Sequence, residues 1–273
     1  MPESADVQLL IENRSENVAV VRQALAGWAE AVHLEQTVLE EVKTAVSEAC
    51  NNVVLHAYHG EVGPLEVSAC HDEHQLEVRV ADRGRGMREA EPDPDAALPG
   101  MGIELMRALA EAVEFADRDG GGTAVNLLFR SPSPLTLTGG SATAEPPGST
   151  AVDARVLVGV GRVAAPVLSR VTGMLAARAG LSLERLADAQ LLTDALAAHA
   201  PSWVTGEGIE LGVVPDGIGV ILRVGPLRPG GAGELVRESA LSGLPSLIDR
   251  LADEVSVEED AGAERLRLLV AQR

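Results

Sequence analysis

Aromatic side chains are nearly missing from this chain: two Trp, one Tyr and two Phe make up 2% of 273 residues. Its cores must therefore be built from Leu, Val, Ala and Ile, and a hydrophobic content of 46% is enough for two modest packed domains. Basic residues are also short, 22 Lys and Arg against 41 Asp and Glu, a formal charge of −19. This argues against direct nucleic-acid binding, which needs cations to neutralise phosphates. No apolar run is long enough to span a bilayer and nothing resembles a signal peptide, so no membrane partner is expected. Only Cys50 and Cys70 could form disulfides, and they have neither metal nor redox spacing. A reduced, cytoplasmic setting is expected, with Cys50 a small core residue. The pairs His56/His59 and His71/His74 lack other nearby ligands and read as ordinary polar positions.

What is present is concentrated in three short segments. Glu40 to Tyr58 reads as one helix, with a core stripe of Val42, Ala45, Val46 and Ala49 continuing from Leu39. Glu48 and Asn52, four residues apart, share another face. A carboxylate and an amide in that register suit a site where one takes a proton from an attacking hydroxyl and the other offers its carbonyl oxygen to magnesium; they equally suit a solvated face. Further on, Leu76, Val78 and Val80 alternate as in a half-buried strand that runs into Asp82-Arg83-Gly84-Arg85-Gly86. Gly84 and Gly86 permit a tight turn and close backbone approach, and Asp82 can accept a hydrogen bond from an exocyclic amine. Then Pro99-Gly100-Met101-Gly102 opens a helix expected over Ile103 to Val113, whose free N-terminal amides can hold phosphate oxygens. Gly120-Gly121-Gly122-Thr123 leads into a strand, Ala124 to Arg130.

In this order and at these separations the motifs resemble the N-box, G1 and G2 boxes of the GHKL ATPase superfamily (the Bergerat fold), in particular bacterial anti-sigma factor serine/threonine kinases. The likeness covers about Val7 to Arg130. It implies an α+β fold, a two-layer α/β sandwich with a mixed sheet covered by helices on one face, and ATP and Mg2+ as cofactors. It also implies roles. Glu48 matches the general base and Asn52 the magnesium ligand, while Asp82 matches the reader of the adenine amine. Gly84 and Gly86 border the nucleotide, Gly100, Met101 and Gly102 belong to the phosphate lid, and the Thr123 hydroxyl lies near the adenine. The lid departs from the pattern. It carries Glu89, Glu91, Asp93 and Asp95 where a basic residue would clamp the γ-phosphate, leaving Arg83, Arg85 and Arg88 as the nearby counter-charges.

Residues 131–152, rich in Pro, Gly, Ser and Thr, read as a flexible linker between an ATP-binding domain (1–130) and a second domain (153–273). The second domain repeats the element order of the first: a strand at Arg155 to Val160, helices at Val163 to Ala179 and Leu183 to Ala200, two strands at Ile209 to Val214 and Gly217 to Val224, and a Pro- and Gly-rich loop. Leu247 to Val257 then parallels Leu105 to Phe115, and Arg265 to Val270 closes as a last strand. An unrelated α/β domain is the alternative. The chemistry is gone from this copy. No asparagine follows Asn126, Pro226 stands at the position of Asp82, Gly243-Leu244-Pro245 replaces Gly-Met-Gly, and Gly262-Ala263-Glu264-Arg265 replaces the GGGT turn. The expectation is an intramolecular pseudo-dimer with one nucleotide site, acting in transcription regulation on a sigma factor or an anti-anti-sigma antagonist. Both a kinase and a non-catalytic ATP-dependent switch fit the residues; a histidine kinase fragment fits less well, since no phosphoacceptor hairpin precedes the N-box.

Overall fold

The computed structural model describes residues 5–86, 101–136, 154–206, 208–240, 245–260 and 262–272. β1 (Val7–Glu12) buries Val7, Leu9 and Ile11 on one face, as its alternation requires. Two helices follow, α1 (Asn17–Val32) and α2 (Gln36–Asn52), then β2 (Pro64–His71), β3 (Gln75–Asp82), α3 (Met101–Leu109), β4 (Ala112–Asp117) and β5 (Thr123–Arg130). The later half comprises β6 (Ala154–Gly159), α4 (Ala164–Arg178), α5 (Leu183–His199), β7 (Gly208–Pro215), β8 (Gly219–Leu227), α6 (Gly231–Glu238), α7 (Leu247–Leu251), β9 (Glu254–Asp260) and β10 (Ala263–Ala271).

All ten strands form one sheet in the order β4-β5-β3-β2-β1-β6-β7-β8-β10-β9. The buried side chains of the inner strands, β10 among them, join the helices in a continuous Val-, Leu- and Ala-rich core, as the shortage of aromatics requires. Trp28 of α1 is an exception to that shortage. It is fully buried and its indole N–H donates to Asp6 Oδ2 at 3.0 Å.

The layered α+β architecture is as expected, but the sheet is antiparallel throughout rather than mixed. With two helices between β1 and β2 the chain reverses direction three times, so β2 returns antiparallel to β1. The single helix α3 makes β4 parallel to β3, but β5 inserts between them and leaves every neighbouring pair antiparallel.

Four local expectations also change. The helix expected to Val113 ends at Leu109. Glu111 N–H already bonds Leu128 O, and Val113 pairs with Leu127, so that Val113 and Phe115, two apart on the edge strand β4, both pack half-buried against the core. The helix expected to Tyr58 is α-helical only to Asn52 and continues as a π-helical turn, Val53–Ala57. The loop after β8 holds α6. Residues 131–136, expected as linker, are packed: Leu135 is buried, and main-chain bonds join Ser131 to His74, Leu135 to Glu73 and Thr136 to Val32. The rest of that linker, and the acidic lid, lie outside the described residues.

Candidate functional site

The site is assembled from the C-terminal end of α2, the N-terminus of α3 and the loops at the ends of β3 and β4. α2 turns Val38, Leu39, Val42, Ala45, Val46, Ala49 and Cys50 into the core, which leaves Glu48 and Asn52 half-buried on the adjoining face. Burial pushes the Cys50 thiol up to about 12, so it is an inert packing group. Gly102 in the first turn of α3 lies against this pair. A β-carbon there would stand 2.9 Å from Glu48 Oε2 and 3.9 Å from Asn52 Oδ1. Met106, one turn further on, anchors α3 by full burial, while Met101 is exposed beside the cradle. A carboxylate, an amide oxygen and a helix N-terminus thus converge.

The second cluster is built on Asp82. Its side chain is buried at the end of β3, where Oδ1 accepts from Gly84 N–H at 2.7 Å and the carboxylate also accepts from the Thr123 main chain. Desolvation raises its pKa against the pull of those two amides. Asp82, Gly84 and Thr123 are therefore brought together, and Gly86, at φ 79°, turns beside Gly122 and Asp117. Gly84 admits no side chain, since a β-carbon would lie 2.1 Å from Ala57 O. That contact, with Arg85 N–H bonded to the same carbonyl at 3.3 Å, ties the Asp82 loop to the π-helical turn that continues directly from Asn52. The two clusters are joined through this turn. Gly100 lies outside the described residues.

Sequence reasoning missed the groups that brace the loop. Arg118 Nη1 donates to the Asp82 main-chain oxygen at 2.9 Å, and its Nη2 pairs with Glu66 Oε2 at 3.0 Å. The other Glu66 oxygen takes Arg83 Nε at 2.8 Å, so Arg83 is directed to Glu66 rather than held in reserve for the lid. Tyr58 Oη accepts from Arg83 N–H and donates to Pro64 O, both at 2.7 Å; burial pushes its pKa up to about 12. The signal in the sequence was slight: a lone carboxylate on an otherwise largely apolar strand, and an Arg just before the glycine turn.

Among the described residues no group of three or more His, Cys, Asp or Glu is placed to hold a metal. The donors at Asn52 and Glu48 are hard oxygens, which fit Mg2+ in the way that ion is usually bound, by one or two protein groups with substrate phosphates and water completing its shell. His56 and His59 are exposed, and His71 bonds Asp6 and Thr136, as expected of polar positions.

Residues 11–129 match the family described as the histidine kinase-like ATPase domain. The serine-protein kinase RsbW of Bacillus cereus (strain AH820) is 29% identical over 126 residues, 42% of this chain and 79% of that protein. RsbW of Bacillus thuringiensis (strain Al Hakam) is 31% identical over the same length and shares. The histidine kinase domain of the Erythrobacter litoralis EL346 blue-light activated kinase is 26% identical over 34% of this chain and 44% of that one, with a TM-score of 0.28, too low to bear on the fold. By its motifs, its fold and these relatives, the chain belongs to the GHKL histidine kinase-like ATPase family, in the neighbourhood of the RsbW serine-protein kinases.

Proposed function

We propose that residues 1–130 bind Mg-ATP and that the protein is a cytoplasmic anti-sigma-type serine kinase acting on an anti-anti-sigma antagonist, sequestering a sigma factor, or both. The observation that carries this reading is the convergence of Glu48, Asn52 and the N-terminus of α3 at Gly102. Asp82, held by the Gly84 and Thr123 main chains, has acceptor capacity left for the adenine amine. Asn52 would hold the magnesium ion, which supplies charge neutralisation of the phosphates when bound. Met101 and Gly102, at the start of α3, would offer main-chain N–H groups to the phosphate chain. Glu48 takes the proton from a partner serine as its oxygen bonds to the γ-phosphorus; the bond to the β-phosphate bridging oxygen breaks and ADP leaves.

A second reading is favoured by the acidic lid, whose Glu89, Glu91, Asp93 and Asp95 weaken the case for a γ-phosphate clamp. In it, ATP occupancy sets partner affinity without phosphoryl transfer. Glu48→Gln separates the two, because it removes the base while keeping size and hydrogen bonding. A kinase loses transfer of radiolabelled phosphate to the antagonist and still binds ATP; a switch is indifferent. Wild-type protein that never labels any antagonist would overturn the kinase reading.

A further inference from the structure

The two halves of the sheet obey one rule. Read outward from the middle, the first half runs β1, β2, β3, β5, β4 and the second β6, β7, β8, β10, β9. Registers agree as well as order. Leu9 pairs with Val67 and Val67 with Val80; Val156 pairs with Leu211 and Leu211 with Val224. Leu9 and Val156 are therefore equivalent positions, and across the central seam they face each other. On either side Val7 faces Val158 and Ile11 faces Ala154, so that each residue meets the equivalent of the one on the far side of the centre. Only a two-fold axis through the Leu9–Val156 pair produces that pattern. The corresponding helices α1 and α4 pack along the same seam, so closely that a β-carbon on Gly27 would stand 2.5 Å from Pro166 O. Arg178 donates to Asn17 and Arg170 pairs with Glu30, both at 2.6 Å.

While the seam is intact, the nucleotide chemistry is not. α2 and α5, each of seventeen residues, align end to end, and the buried Val42, Ala45 and Ala49 match the buried Ala189, Leu192 and Leu196. Ala195 and His199 then stand where α2 has Glu48 and Asn52. Strand register puts Pro226 at Asp82. The pairing of β10 with β9, which runs regularly where a bulge between Glu264 and Leu266 interrupts the pairing with β8, puts Glu264 at Thr123, one place before the Arg265 that the sequence suggests. The segment that corresponds to the lid forms α6, and the Glu264 carboxylate accepts from Gly230 and Ala232 N–H at its start. An internal carboxylate satisfies the polar end of that helix.

We infer that the C-terminal half is a second copy of the same fold, kept as a built-in two-fold partner for the first. It closes the β1 edge and the α1 face within one chain, so the surface through which two copies would pair is already occupied. A bare β1 would offer a row of unpaired main-chain groups to any other strand, and a two-fold surface is self-complementary by nature. Selection on that surface keeps the seam and leaves the second nucleotide site free to decay.

The test uses the full chain in a Cys70→Ser background, and none of its readouts involves nucleotide, so it stands or falls apart from the kinase reading. Facing residues on antiparallel strands lie about 4.5–5.5 Å apart, within the roughly 4.4–6.8 Å that a disulfide spans. Light scattering is expected to give the mass of one chain. Under mild oxidation Leu9→Cys alone stays unlinked, while Leu9→Cys with Val156→Cys closes a disulfide within the chain, seen as faster migration on a non-reducing gel. Should that buried pair impair folding, Gln8→Cys with Leu157→Cys, the adjacent facing pair on the other side of the sheet, gives the same readout. Two-chain particles in which Leu9→Cys links one chain to another would overturn the inference. So would the absence of the intrachain bond in both double variants.

Discussion

Gly102 stands so close to Glu48 that a β-carbon would come within 2.9 Å of its Oε2. The obstructing atom is the free end of a flexible side chain, so Gly102→Ala should displace the Glu48 carboxylate rather than the backbone. Replacing a helical glycine with alanine stabilises by about 0.4–1 kcal/mol where the backbone accepts it. The expected result is an unchanged or higher melting temperature with Mg-ATP affinity lowered roughly tenfold, about 1.4 kcal/mol. Calorimetric titration beside a thermal melt checks both; a fall in stability with affinity unchanged would show that the cradle is only packing.

Asp82→Asn keeps the Oδ1 acceptor for Gly84 and removes the charge offered to an exocyclic amine. Loss of one charge-assisted hydrogen bond should cost about 1.5–3 kcal/mol of ATP binding. The fold should survive, since burial already disfavours the charged carboxylate. Equal titration curves for the two proteins would reject the proposed adenine pocket.

Glu48 and Asn52 on one face of α2 and Asp82 at the end of β3 could be read from the sequence because helix and strand periods fix which residues share a face. Most strands were legible for the same reason, but β9 was not, since Leu247 to Val257 read as one segment paralleling Leu105 to Phe115. Gly102 was marked only by its glycine motif, and its approach to Glu48 was not legible. Arg118 and Glu66 were not, since their role depends on β2 and the end of β4 being carried to either side of the Asp82 loop, and that is decided by long-range strand order. The π-helical turn was hidden because Val53 to Ala57 continues the helical composition of α2 without any breaking residue. The end of α3 was misplaced because Leu109, Ala110 and Val113 satisfy helical spacing as well as they satisfy an edge strand.

Arg118→Met tests the brace. It removes the donor to the Asp82 carbonyl and one partner of Glu66 while keeping most of the aliphatic stem. A net loss of about 1 kcal/mol, roughly a fivefold weakening of ATP binding, is expected from one such hydrogen bond. Arg118→Lys should recover part of it. An affinity untouched by either change would mean that Gly84 and the π-helical turn suffice to hold the loop.

His71 gives the fold a pH dependence. Its buried ring places Nδ1 2.6 Å from Asp6 Oδ2 and Nε2 3.0 Å from Thr136 O, so both nitrogens face acceptors and both must carry protons. Burial opposes the charged ring, but the Asp6 hydrogen bond and charge, with the Thr136 carbonyl, outweigh it and raise the pKa above the usual value of about 6.5. A raised folded-state pKa contributes stability that is complete below the unfolded value and is lost as pH rises through the folded one. The difference in melting temperature between wild type and His71→Gln should therefore be largest near pH 5.5 and shrink toward pH 9. A difference that is flat over that range, or that grows with pH, would show that the ring is not held as the imidazolium.

Nucleotide stoichiometry follows from what stands at the four equivalent positions of the second half. Ala195 carries no base, His199 offers imidazole in place of a hard amide oxygen, Pro226 has no side-chain acceptor, and the Glu264 carboxylate adds negative charge where Thr123 stands in the first half. Each change alone would weaken Mg-ATP, and the negative charge beside α6 repels phosphate as well. Titration of the full chain should saturate at one Mg-ATP per chain, and Asp82→Asn should weaken that whole signal without uncovering a second, unaffected component. A stoichiometry of two, or a residual site indifferent to Asp82→Asn, would place a working nucleotide pocket in the second half.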